Sequence, residues 1–182
     1  MARIRTTREI TSLELMSLKT TLASKLRADL AKSMNKPITS IYVRDIMADV
    51  DLGLDSEKWD NELAGGLPTV AWTKDWTKEL PKNKKIAFYG IINHTDDPQV
   101  IGVKFKTGSD GNTVKDIVMF GRVGREEVPA AFFEAVEYEP SETIYVELYN
   151  QSGSTIAEGA ELLEYLGLVA EKYGDNISAA KE

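Results

Sequence analysis

Residues 93–99, Asn-His-Thr-Asp-Asp-Pro-Gln, hold the chain's only histidine beside two aspartates. Imidazole and carboxylate are metal ligands, or a general base with its orienting acid. A metal site here would need His94, Asp96 or Asp97 and at least one further ligand from elsewhere, and nothing local supplies it. With one histidine, the His-rich catalytic metal sets cannot be built. Asn, Asp and Pro are also the residues that turn a backbone, and the stretch lies between two apolar runs. The expectation is a turn.

Other groupings carry weaker signals. Asp49, Asp51 and Asp55 offer hard oxygen ligands, but Gly53 falls where a calcium loop of the EF-hand type needs an oxygen, and Leu54 takes the glycine position. Gly121-Arg122-Val123-Gly124-Arg125 lacks the Gly-Lys-Ser/Thr ending of a phosphate loop, and no Gly-x-Ser-x-Gly elbow occurs. Glu134, Glu137, Glu139 and Glu142 lie close together. Paired carboxylates at a defined separation hydrolyse glycosides, whereas on a sandwich edge they form a solvated acidic face. No catalytic residue, metal site or cofactor is assigned, and the chain is read as a non-enzyme, with a hydrolase using acidic residues as the remotest alternative.

The elements that would position these residues change character along the 182 residues. No cysteine is present, which excludes disulfides and thiolate chemistry and suits a reducing compartment. No run approaches the ~18 apolar residues of a membrane span, and the N-terminus lacks an apolar secretory stretch; a soluble, unsecreted protein is expected. The net charge of −7 conceals a gradient: eight Lys/Arg against three Asp/Glu in residues 1–40, twelve against thirteen in 41–125, two against thirteen in 126–182. A basic end able to meet another copy's acidic end is one reading; ordinary solvating charge is the other.

Residues 1–9, with Arg3, Arg5 and Arg8, show no periodicity and read as a mobile arm. Thr11 and Glu14 have capping-box spacing. Leu15, Leu18, Leu22, Leu26 and Leu30 then follow at three- and four-residue steps, one stripe on a helix that Pro37 ends. The stripe must pack on its own domain or on another subunit. Residues 41–83 are broken by Gly and Pro and read as an extended connector; Trp59, Trp72 and Trp76 within it imply that it packs on the domain or on a neighbour.

From residue 84 the period becomes two. Short β-branched and aromatic runs separated by turn signals predict an antiparallel β-sandwich over 84–174, preceded by the arm and helix of 1–40 and followed by a flexible tail at 175–182. Ile144, Val146 and Leu148 should face one way, and Tyr145, Glu147 and Tyr149 the other. Asp110-Gly111 marks a tight hairpin turn. Residues 160–174 fit a helix by Leu162, Leu166 and Val169, but Gly167 and the need to complete the second layer favour a strand. Because the strands from Ile86 onward can supply their own core, deletion of residues 1–36 is expected to leave a folded sandwich.

This layout, with Phe88–Ile92, Ile101–Gly108, Asp116–Arg122 and Glu142–Asn150 as strands, resembles the jelly-roll or sandwich proteins that build or decorate virus and phage shells. The resemblance is of architecture, covers about residues 84–173, and brings no catalytic residue. It implies a virion structural protein made in the host cytoplasm, a minor capsid or decoration subunit that assembles with other shell subunits as a homo-oligomer. Its contacts would be Arg3, Arg5, Arg8, the leucine stripe and the three tryptophans. Nucleic acid is a lesser candidate partner, through the basic arm. The alternative from another class is a carbohydrate-binding sandwich presenting Tyr89, Tyr138, Tyr145 or Tyr149 to sugars.

Overall fold

The computed structural model describes residues 5–6, 10–54, 60–62, 68, 71–108, 110–121, 130–152, 154–157 and 159–174. The side chains of Arg3, Arg5, Arg8 and Trp59, residues 122–129 and the tail 175–182 lie outside the described residues.

Helix α1 spans Ser12–Ser33 and starts as its sequence dictates: the Glu14 N–H donates to Thr11 Oγ1 (3.2 Å) and the Thr11 N–H to Glu14 Oε2 (2.8 Å). Among the described residues the strands are, in chain order, β1 (Arg5–Thr6), β2 (Ile41–Asp45), β3 (Asp60–Glu62), β4 (Ala71–Glu79), β5 (Lys84–Asn93), β6 (Val100–Thr107), β7 (Thr113–Met119), β8 (Ala130–Tyr138), β9 (Thr143–Asn150) and β10 (Leu162–Lys172). One antiparallel sheet runs β1-β8-β5-β10-β2, with β3 also on β10; the other runs β4-β9-β6-β7. The architecture is the expected one, mainly β, two packed antiparallel sheets behind an N-terminal helix.

The core lies between the sheets. Phe88 stacks on Phe105 at 5.3 Å, with Tyr138 and Tyr165 edge-on to Phe88. The alternation of β9 holds: Ile144, Val146 and Leu148 are buried, and their neighbours half-buried. Residues 162–172 are a strand, and Gly167 shows why the chain needs glycine there. A Cβ at that position would lie 2.2 Å from Ile46 Cδ1 and 2.6 Å from the Ala87 carbonyl, too close for any side chain.

Residues 41–83 correct the connector reading. They supply β2 and β3 to one sheet and β4 to the other, so the sandwich does not begin at 84. Even spacing places Trp72, Lys74 and Trp76 on one face, but a register shift between Lys74 and Trp76 reverses the pattern. Trp76 turns into the core against Tyr165 and Phe88, while Trp72 stays on the outer face beside Tyr149. The arm reading also changes at Arg5–Thr6, which pair with Phe132 and Ala131 as a short strand.

Between β2 and β3, a helical turn at Ala48–Leu52 is pinned by charge. Asp51 receives both guanidinium ends of Arg44 (2.6 and 2.8 Å), the Met47 N–H (2.8 Å) and Lys84 Nζ (3.0 Å). Arg44 Nε and Lys84 also reach Glu171 on β10. Two cations thus face two anions in a nearly dry site, which ties β2, β5 and β10 to the turn. Asp51 is therefore a structural ion-pair partner, and its oxygens are committed.

The β6–β7 hairpin is joined where Asp110-Gly111 marks it, but the turn is longer than a two-residue type I′. Of this pair only Gly111 has positive φ (+62°), and its N–H donates to the Gly108 carbonyl. A Cβ on Gly111 would meet the Tyr145 ring at 2.7 Å. Gly111→Val is expected to cost about 1–3 kcal/mol in a urea melt, from backbone strain and this collision. A loss below a few tenths would show that the turn tolerates a side chain.

Candidate functional site

Residues 94–99 are the turn between β5 and β6, clasped to the start of β10. His94 is exposed; its Nε2 lies 2.8 Å from Glu164 Oε2, and its N–H donates to the Leu162 carbonyl. The Thr95 N–H donates to Asn93 Oδ1, and the Leu162 N–H donates to Thr95 Oγ1. Among the described residues, no group of three His, Asp or Glu is placed to hold a metal.

The residue at the centre of this clasp is Glu161, which the sequence did not single out. It is buried, and accepts from Asn93 Nδ2 (2.9 Å), the Val100 N–H (2.9 Å) and the Gln99 N–H. Burial pushes its carboxyl above the usual range, with help from the nearby Asp97 charge, and these donors only partly offset that. A glutamate preceding a strand gives no sequence signal of this role, because its partners are 61–68 residues away. Glu161→Ala should cost about 1–3 kcal/mol by leaving donors unmatched, and Glu161→Gln distinctly less at neutral pH. Equal losses in thermal melts would show that hydrogen bonding is not what Glu161 supplies.

Three members of the acidic quartet are engaged by lysines. Glu137 is bound by Lys25 and Lys85, Glu139 by Lys85, and Glu142 by Lys115, while Glu134 is exposed. Burial opposes ionisation of Glu137 and Glu142, but the lysine hydrogen bonds prevail and hold both below the usual carboxylate range. The acid of a glycosidase is shifted the opposite way.

Two outer faces remain. On the β8-β5-β10-β2 sheet, the face carrying Ala87, Tyr89, Phe132 and Leu168 is covered by α1. Leu22, Leu26 and Leu30 are buried there, with Leu15 and Leu18 half-buried against the same cluster. The leucine stripe therefore packs on the chain's own domain, and is a correction to its reading as a contact with a neighbour. Lys85 fixes the dock from below, reaching Asp29 of α1 (3.0 Å), Glu137 (3.1 Å) and Glu139 (2.6 Å). Burial disfavours its charge, but these three carboxylates outweigh it and raise its pKa.

The outer face of the β4-β9-β6-β7 sheet lies on the other side of the sandwich from α1, which packs on β10, β2 and β5. Trp72 and Tyr149 lie with ring centroids 5.1 Å apart, and Lys104 Nζ sits 4.2 Å from the Trp72 ring centre. Lys74 and Lys106 flank the Tyr145 ring at 5.2 and 5.1 Å. Glu147 lies between Lys104 (3.0 Å) and Lys106 (2.7 Å); partial burial opposes its ionisation, but the two lysines keep it below the usual range. Next to this ladder, strand β7 exposes Val114, Ile117 and Met119 to 49%, 49% and 43%. Tyr89 and Tyr138 are buried, which removes them as sugar platforms, and Tyr145 and Tyr149 share their rings with lysines or with Trp72.

No protein-family model matches the chain. No curated protein matches it either. Among solved structures, it is similar to the VP2 subviral particle protein of infectious bursal disease virus, at 12% identity and a TM-score of 0.37, over 78% of this chain and 35% of that one. It is also similar to a family 35 carbohydrate-binding module from Clostridium thermocellum, at 15% identity and a TM-score of 0.30, over 70% and 90% of the two chains. A third similarity is to a carbohydrate-binding module of Cellvibrio mixtus lichenase 5A in complex with cellotriose, at 10% identity and a TM-score of 0.31, over 71% and 96%. The chain spans about a third of the length of the infectious bursal disease virus chains it matches. No helix among the described residues is long and apolar enough to cross a membrane.

Proposed function

We propose that the chain is a structural subunit that works by packing against other proteins, as a minor capsid or decoration subunit of a virion or phage shell, and that it forms homo-oligomers. The observation that supports this reading is the exposed apolar row Val114, Ile117 and Met119 on the edge strand β7. Apolar side chains clustered on an edge mark a surface that meets another protein. The buried charges support the same reading, because Arg44, Asp51, Lys84, Lys85 and Glu171 are spent on holding strands and helix together.

In this reading the contact surface is β7 and its sheet, and the leucine stripe plays no part in it. Native mass spectrometry of the full chain should show trimers or larger rings. The double variant Ile117→Lys, Met119→Glu should shift these to monomer with little change in melting temperature, since both side chains are on the surface. A wild-type chain that stays monomeric at all concentrations and binds no particle overturns the proposal. Retardation of such a monomer in gels containing a neutral polysaccharide, lost on Trp72→Ala, would favour the carbohydrate-binding alternative through the Trp72–Tyr149 pair.

A further inference from the structure

A copy that docks through β7, as proposed above, needs a receiving surface on its neighbour, and the sandwich carries one on its far side. On one side β7 closes its sheet next to β8, and Lys115 Nζ donates to the Glu137 carbonyl across the gap at 2.7 Å. On the other side β2 and the turn Ala48–Leu52 lie next to β4. A Cβ on Gly53, at the end of that turn, would meet Lys78 Nζ of β4 at 3.2 Å. Tyr165 of β10, the strand beside β2, donates to Asp75 of β4 at 2.8 Å. Strands β2 and β7 therefore sit on opposite sides of the sandwich.

The β2 side holds a second apolar patch. Tyr42, Met47 and Val50 are exposed to 43%, 41% and 43%, as open as the β7 row, and Tyr173 is more exposed still. Local bonds bring them together. Tyr42 and Arg44 share a face of β2, and Arg44 holds Asp51, the neighbour of Val50. Asp51 also accepts the Met47 N–H, and the Tyr173 N–H donates to the Ser40 carbonyl just ahead of β2. Single apolar residues are ordinary on a surface, whereas a grouping marks a contact.

Charge selects which surface meets β7. Lys115 is taken by Glu142, so Asp116 and Glu134, which line the hollow between β7 and β8, set a negative sign there. A two-fold contact places the same patch on both copies, so β7 against β7 would oppose these carboxylates. The exposed Leu13 and Met16 of α1 flank a groove lined by Glu14, Glu134 and Glu137, and share that sign. The β2 patch differs: Lys78 beside Gly53 and Lys172 beside Tyr173 flank it, against the exposed Asp49. Opposite potentials across an interface guide encounter and set its register.

Resting on the reading of β7 as a contact, we propose that the β7 row of one copy docks on the Tyr42–Val50–Tyr173 patch of the next, head to tail. Each copy then uses two different sides. Such heterologous contacts close into rings rather than stopping at a dimer.

The test uses full-length chains, native mass spectrometry and sedimentation. Val50→Glu with Tyr173→Glu should be monomeric, as Ile117→Lys with Met119→Glu is, each with the wild-type urea midpoint. An equimolar mixture of the two should give a one-to-one dimer, because the first keeps its β7 row and the second its β2 patch. Tyr42→Glu with Tyr173→Glu replaces the first variant should the turn not accept a glutamate at position 50. Lys78→Glu with Lys172→Glu should raise the concentration needed for assembly by about tenfold or more. A folded β2-side variant that assembles like wild type overturns the proposal and leaves the β7 contact standing. A mixture that stays monomeric overturns it too. A wild type that is itself monomeric overturns the β7 reading, and this proposal with it.

Discussion

Replacing Leu26 or Leu30 with alanine is expected to lower stability by about 2–5 kcal/mol each, the range of cavity-forming substitutions in a packed core. Both side chains have no exposed surface. Their neighbours are on the sheet beneath: Ala87 and Tyr89 of β5, Phe132 of β8 and Leu168 of β10. Deleting residues 1–36 goes further, because it uncovers that whole face at once and takes Asp29 from Lys85. Domains of this kind have only about 5–15 kcal/mol of net stability. The truncated chain should therefore lose its cooperative melt or aggregate, contrary to the sequence expectation that the sandwich stands alone. Urea melts followed by near-UV circular dichroism would decide. A truncated chain melting within about 1 kcal/mol of the full one would mean that the helix is an accessory.

The sequence made the sandwich legible because its strands obey a period of two where one face is buried. Ile144, Val146 and Leu148 of β9 are the clearest case. The helix start was equally legible, since a capping box is a local interaction between Thr11 and Glu14. What escaped was non-local. The bulge in β4 that sends Trp76 inward and leaves Trp72 outside cannot be read from a run whose spacing puts both on one face. The strand β2 is five residues long and stands between a helix and a helical turn, so its pattern is too short to register. The destination of the leucine stripe was left open for the same reason: an apolar face announces burial without naming its partner. Of the candidate site, the turn at 94–99 was legible, because Asn, Asp and Pro turn a backbone, whereas Glu161 was not, because its partners are distant in sequence. The β7 row was visible as part of a strand, but its exposure depends on which sheet edge β7 occupies.

The second large effect concerns Asp51. Asp51→Ala leaves Glu171 as the carboxylate that Arg44 and Lys84 share, in a site where Arg44 and Lys84 are each 13% exposed and the carboxylates at most 1%. Removing one partner of a buried charge network costs about 3–5 kcal/mol, because the remaining charges keep their desolvation penalty. The Met47 N–H also loses its acceptor, which loosens the turn at Ala48–Leu52. The pH dependence separates this charge effect from simple loss of packing. Burial opposes ionisation of Asp51, yet the Arg44 hydrogen bonds, the Met47 N–H and the Lys84 charge together hold its pKa below the ordinary 3.8. A carboxyl with a depressed folded pKa contributes stability that is fully present above its unfolded pKa and is lost as pH falls through the folded one. The difference in unfolding free energy between wild type and Asp51→Ala should thus be constant from neutrality down to about pH 4 and narrow below it. Over the same acid range the wild type should weaken further, because Glu137, Glu142 and Glu147 are likewise held below their ordinary 4.5. Those three remain in the variant, so their loss cancels in the difference. Denaturant melts of both chains from pH 7 to pH 2 would measure it. A difference that does not narrow in acid would mean that the ionised carboxylate of Asp51 is not what anchors the turn to Arg44 and Lys84.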